Sequence, residues 1–205
     1  MRYVKKMSMA QIALRCLVVG GLCCASACQM LPSGANANAT GAPQEIPAAV
    51  QVQFDAALAA QKAQQWSEAE QQLARLSEKY PQLSGPVLNL ALLYAQTQRP
   101  QLAEENFKRA LQINPNNSVA GDQYGIWLRT QGRFDDAEAM YTQTLTRNPE
   151  YAAAHLNLAI LYDVYLGKGP QALEHYQRYL ELNNDENSPV RGWIAELQRR
   201  LPRAG

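Results

Sequence analysis

With 205 residues, 47% hydrophobic and 18% charged, the chain is long enough for one folded domain with attached segments. Its formal charge of +1 is unevenly spread: Arg2, Lys5, Lys6 and Arg15 fall in the first 27 residues, which hold no Asp or Glu, and the remainder carries 15 basic against 18 acidic side chains. A mildly acidic body without a basic stripe argues against nucleic acid as partner, because phosphate neutralisation supplies most of that affinity.

The basic start is followed by an apolar run from Cys16 to Ala27. Twelve residues are too few to span a bilayer and fit the core of a signal peptide, so residues 1–27 are expected to be removed on export. The run ends in Ala25-Ser26-Ala27-Cys28. This segment resembles a bacterial lipobox, which implies a lipid on Cys28, although Ala25 stands where Leu is common. Ala25-Ser26-Ala27 also fits ordinary secretory cleavage, the alternative reading, which would leave a soluble periplasmic chain. Cys16, Cys23 and Cys24 would leave with the signal, and Cys28 would remain as the sole cysteine. Acylation explains a lone thiol in an oxidising compartment better than a missing disulfide does. Gln29 is not the Asp associated with inner-membrane retention, so the reading favours the outer membrane, facing the periplasm. Residues 28–47, rich in Ala, Asn, Gly and Pro, cannot bury a core and read as a tether.

Beyond the tether the chain repeats. Pro81, Pro115 and Pro149 recur at 34-residue intervals; so do Ala69, Ala103 and Ala137, with Ala172 following at 35. The period divides the chain into units 50–83, 84–117, 118–151 and 152–184. Each unit predicts two helices: the first over about 50–63, 84–97, 118–131 and 152–165, the second over about 67–79, 101–113, 135–147 and 170–182. Proline ends the second helix because it donates no N–H and restricts its predecessor. The fourth unit departs from the pattern: Leu166-Gly167-Lys168-Gly169-Pro170 holds one extra residue, expected between its helices, and Asn184 replaces the terminal proline.

Leu90, Ala91, Tyr94, Ala103, Phe107, Ala110 and Pro115 in the second unit, Gly125, Gly132, Ala137, Tyr141 and Pro149 in the third, and Leu158, Ala159, Tyr162, Ala172 and Tyr176 in the fourth resemble the signature of the tetratricopeptide repeat (TPR) family. The first unit keeps Ala57, Trp66, Ala69, Leu73 and Pro81. The resemblance implies an all-α, right-handed α-solenoid of about four helical hairpins. Small residues let paired helices approach, and large ones fill the groove beside them. Residues 185–205 supply the end: Ser188-Pro189 starts a helix to Leu201 whose Val190, Trp193, Ile194, Leu197 and Leu201 share one side, so that it caps the stack and Trp193 packs inward.

Chemistry is scarce. His155 and His175 lie on different helices without further ligands at metal spacing, which points to structural or surface roles. Glu104-Glu105 and Asp135-Asp136 are expected in first turns, beside the positive helix ends. Arg199, Arg200 and Arg203 read as a solvated helix end. No nucleophile–base pair is visible, and no metal, cofactor or small-molecule substrate is implied.

In the family, the first helices of the repeats line a groove that takes a peptide or helix of another protein. The resemblance assigns that groove to Asn89, Gln123 and Asn157 at the sixth position, to Leu92, Ile126 and Ile160 at the ninth, and to Arg129 and Asp163 at the twelfth. Carboxamides both donate and accept, and so suit a peptide backbone. Architecture and address together imply a non-catalytic adaptor for another envelope protein, in the manner of TPR lipoproteins that serve pilus and secretin systems. The alternatives are an accessory subunit of an energy-transducing (TonB/ExbB-like) complex or of a cell-wall enzyme complex.

Overall fold

The computed structural model describes residues 47–184 and 188–201; the signal segment, Cys28 and the tether up to residue 46 lie outside them. Among the described residues all regular structure is helical. The elements are α1 (Ala48–Lys62), α2 (Trp66–Lys79), α3 (Ser84–Gln96), α4 (Pro100–Ile113), α5 (Ser118–Thr130), α6 (Phe134–Arg147), α7 (Ala152–Ile160, continued by a π turn over Leu161–Leu166), α8 (Gly169–Asn183) and α9 (Val190–Arg200). Consecutive helices pair as four hairpins, and α9 packs on α8.

The hairpins close on small residues. Ala57, Ala91 and Ala159 of the first helices, and Ala69, Ala103, Ala137 and Ala172 of the second, are all fully buried. Gly125 takes this role in the third hairpin because a Cβ there would stand 2.5 Å from the Tyr141 ring. The large partners Leu73, Phe107, Tyr141 and Tyr176 recur one per hairpin and are equally buried. Removing such a side chain costs about 2–5 kcal/mol, the transfer loss plus an unfilled cavity. Phe107 also stacks on Tyr124 of the next hairpin, with centroids 5.2 Å apart, so one ring joins two repeats. At the far end Val190 and Leu197 of α9 are buried, whereas Trp193 is half-buried with its edge toward Tyr176 at 5.9 Å.

The turns within hairpins reuse one device. Gln64, Gln98, Gly132 and Gly167 all have left-handed backbone, with φ of 59°, 57°, 74° and 65°. In the first three hairpins the next residue's N–H bonds the carbonyl five residues back, Gln65 to Ala60, Arg99 to Tyr94 and Arg133 to Leu128. In the fourth, Lys168 reaches six residues back to Tyr162. The extra residue therefore does not lengthen the connection. It is absorbed inside the first helix as the π turn, because a turn held by one left-handed residue tolerates an insertion less well than a helix that can widen locally.

A polar ladder joins neighbouring hairpins. Glu70 on α2 receives Arg99 (Nη2–Oε2 2.8 Å) and the Tyr94 hydroxyl (3.1 Å). Glu104 on α4 receives Arg133 (2.9 Å) and Tyr124 (3.1 Å), and Glu138 on α6 receives Lys168 (2.7 Å) and Tyr162 (3.1 Å). The reading of Glu104 as a first-turn residue is thereby corrected: α4 starts at Pro100, which places Glu104 past its first turn, and the carboxylate serves as a cross-repeat acceptor. Asp135 and Asp136 do lie in the first turn of α6. Elsewhere Asn117 donates to Ser84 Oγ (3.0 Å) and Asn148 to Ser118 Oγ (3.1 Å), each tying the end of a unit to the start of the same unit.

Candidate functional site

The residues assigned to a groove sit on the first helices, and the structure gives them unequal roles. Asn89 is buried, and its Nδ2 donates to the Gly85 carbonyl of its own helix at 2.9 Å. Asn157 is buried too and donates to Asp122 Oδ1 at 2.9 Å. Gln123 between them is half-buried. Two members of the carboxamide row are thus spent on internal bonds. At the ninth position Leu92 and Ile126 are half-buried, whereas Ile160 belongs to the core. At the twelfth, Arg129 is half-buried, with its guanidinium 5.9 Å from the Tyr165 ring centroid and a buried Nη1 that has no hydrogen-bond partner. Asp163 is covered: Arg200 of α9 bonds its Oδ1 at 2.6 Å, and the carboxylate side chain is 1% exposed. Arg200, read from sequence as solvated, is the residue that covers it. The continuous surface left on the first helices is therefore the central part, around Leu92, Gln123, Ile126 and Arg129.

Asp122 was not singled out by sequence. Complete burial pushes its carboxyl up to about 6, only partly opposed by the Asn157 hydrogen bond and the charge of Arg129. The signal was available: Asp122 fills a slot that holds Phe54, Leu88 and Leu156 in the other repeats, and an acid at an apolar slot requires a partner. The Tyr141 hydroxyl nearby is buried and also lacks a partner.

The two histidines meet. His155 Nδ1 and His175 Nδ1 are 2.8 Å apart, and His155 Nε2 lies 2.9 Å from the Pro149 carbonyl. A carbonyl only accepts, so His155 carries its proton on Nε2, and its Nδ1 accepts from His175 Nδ1–H. Burial, then the neighbouring His155, lower the His175 pKa. The mutual bond holds α7 to α8. Among the described residues, no three His, Cys, Asp or Glu side chains are grouped to hold a metal, and no helix is long and apolar enough to cross a membrane.

Comparison with known proteins agrees with this architecture. Tetratricopeptide repeat models match residues 51–82, 83–150 and 128–187. Among solved structures, PilF of Pseudomonas aeruginosa superposes with a TM-score of 0.66 at 24% identity, over 75% of this chain and 69% of that one. PilW, described as a widely conserved type IV pilus biogenesis factor, gives 0.63 at 20% identity over 76% and 71%. A peroxisomal targeting signal receptor of Kluyveromyces lactis is 26% identical over 123 residues, 60% of this chain but only 22% of the receptor, so the chain spans about a fifth of that relative.

Proposed function

We propose that this chain, a member of the tetratricopeptide repeat family, is a non-catalytic adaptor of a bacterial cell envelope. It holds a segment of another envelope protein on its first-helix face and aids assembly or localisation of a pilus or secretin type of machine. The observation that carries the reading is the pair Leu92 and Ile126, one repeat apart, half-buried and beside the partnerless Arg129 Nη1. Apolar side chains spaced by one repeat suit an amphipathic segment laid across successive helices. The likeness to PilF and PilW supports the pilus assignment, and the signal-like start with Ala25-Ser26-Ala27-Cys28 supports an outer-membrane lipid anchor.

Crosslinking in intact envelopes tests the face. A Leu92→Gln/Ile126→Gln double variant should lose the partners that the parent recovers while keeping its helical melting curve; equal recovery by a folded variant would overturn the groove reading. Mass spectrometry of the mature N-terminus tests the anchor: an acylated Cys28 supports it, and an unmodified terminus removes it.

A further inference from the structure

An open cleft of about 620 Å³ lies on the second-helix side, between α4 and α6. Its floor is Tyr124 and Leu128 of α5, the helix that packs between the two, and its walls bring Leu111, Ala139 and Met140 to the surface. Asp136, Ala139, Met140, Gln143 and Arg147 form one face of α6 from its first turn to its last. At 1.5 Å per residue that face is roughly 16 Å long.

Three of the twelve lining residues are cations, Lys108, Arg133 and Arg147, and one, Asp136, is an acid. Glu104 and Asp136 compensate Lys108 and Arg133, so the charge the cleft offers a partner is that of Arg147. At one end Lys108 and Arg133 share Glu104, at 2.8 and 2.9 Å. At the other, beside Pro115, Arg147 is exposed and makes no ion pair with a described residue. The walls are helices whose backbone groups are satisfied internally, so an extended peptide would lie there with its own N–H and C=O groups unmet. A helix brings those bonds with it. The chain's own tether is a poor occupant, since residues 28–46 hold a single acid, Glu45.

We propose that this cleft is a second docking surface, which takes an amphipathic helix of another protein, its apolar stripe over Leu111 and Met140 and its acidic end over Arg147. The surface is separate from the first-helix face and stands or falls independently of it.

Met140 is the natural reporter, because the four other methionines all precede residue 31. The full-length chain with labelled methionine methyls is titrated with a synthetic helical peptide of about 14 residues, long enough to cover the cleft, that carries a leucine stripe ended by glutamates; a counterpart has lysines in place of the glutamates. Expected are a saturable shift of the Met140 methyl with the acidic peptide alone and a Kd raised about fivefold by Arg147→Glu. Ala139→Arg, another exposed position, fills the cleft and should abolish the shift, with thermal melting to show that both variants fold. The Leu92→Gln/Ile126→Gln variant should bind as the parent does. Equal binding of the lysine peptide, a motionless Met140 methyl, or an unchanged Kd in both cleft variants would overturn the proposal. A Met140 shift that follows protein concentration without peptide would overturn it in favour of a second copy of this chain.

Discussion

Arg133 reaches back one whole repeat to Glu104, its Nη1 2.9 Å from Oε2, and this carboxylate also receives Lys108 and the Tyr124 hydroxyl. Those hydrogen bonds, that to Lys108 foremost, outweigh desolvation and hold the Glu104 carboxyl down to about 2. A carboxylate with a depressed pKa contributes stability above its unfolded pKa, near 4.5, and loses it as pH falls through the folded value. The parent should therefore lose more stability between pH 4.5 and 2 than Glu104→Gln does. At pH 7 the variant should be destabilised by about 1 kcal/mol, because the group is a quarter exposed and solvent screens the pairs. Denaturant unfolding across that pH range checks both statements.

The turn device makes a second prediction. Gln98 holds φ 57° with a side chain, where the third and fourth hairpins use glycine. Left-handed backbone costs a β-carbon residue about 1 kcal/mol. Gln98→Gly should therefore raise stability by about 0.5–1 kcal/mol, and Gly132→Gln should lower it by about as much. Nothing stands within 4 Å of a Cβ built at Gly132, so a loss there reports backbone strain and not a clash. Thermal melts of the two variants give opposite signs if this holds.

What sequence could and could not reveal follows from the same residues. Ala103, Phe107 and Pro115 carry spacing and size, which a periodic sequence displays openly, so the hairpins were legible. The Glu70–Arg99, Glu104–Arg133 and Glu138–Lys168 pairs also recur with the repeat, their members 29 or 30 residues apart. Charged side chains on helix edges nevertheless look solvated until the stacking register is known. Lys168 keeps its contact despite the inserted residue because the π turn takes up the difference, which no spacing rule foretells. The groove residues were least legible. Asn157 and Asp163 occupy the expected slots, but Asp122 claims the first and Arg200 the second.

Asp122 supplies a test with the opposite pH sign to Glu104. Its carboxyl is raised from 3.8 to about 6, so ionisation opposes folding. The cost is present in full above pH 6 and fades as pH falls toward the unfolded value. Asp122→Asn keeps an acceptor for Asn157 and removes the charge. It should stabilise the chain by about 1–3 kcal/mol at pH 7.5 and by little at pH 4. Urea midpoints at the two pH values decide it: an equal gain at both would mean that packing, not charge, is responsible.

The histidine pair works in the other direction. With its pKa lowered by burial, by His155 next, and held up only weakly by Glu174, His175 contributes stability above pH 6.5 that is lost as pH falls through its folded value. His175→Asn places an amide donor near His155 Nδ1 without a titrating ring, so it should flatten the fall in melting temperature below pH 6.5. In an Asp122→Asn background, where the opposing titration is gone, the remaining decline between pH 6.5 and 5, above the range in which Glu104 titrates, should be steeper and should vanish when His175→Asn is added.

Arg200 is the last residue of α9, yet it reaches Asp163 in the π turn at 2.6 Å, and Leu197 and Leu201 pack toward Gly169. Removing the cation takes the ion pair from a carboxylate whose side chain is 1% exposed, while the Tyr176 hydroxyl still donates to its other oxygen at 3.5 Å. Breaking a buried pair from one side costs more than replacing both members. Arg200→Ala should therefore destabilise by about 2 kcal/mol, discounted because the arginine itself is partly exposed. Hydrogen exchange should accelerate in α9 and at the end of α8 before it does in α4 and α6. Asp163→Asn added to Arg200→Ala should restore much of the loss, since a carboxamide tolerates burial near Tyr176 better than a charge that has lost its ion pair. If the double variant is no more stable than Arg200→Ala, the contact of the cap with the stack rests on its leucines and not on this ion pair.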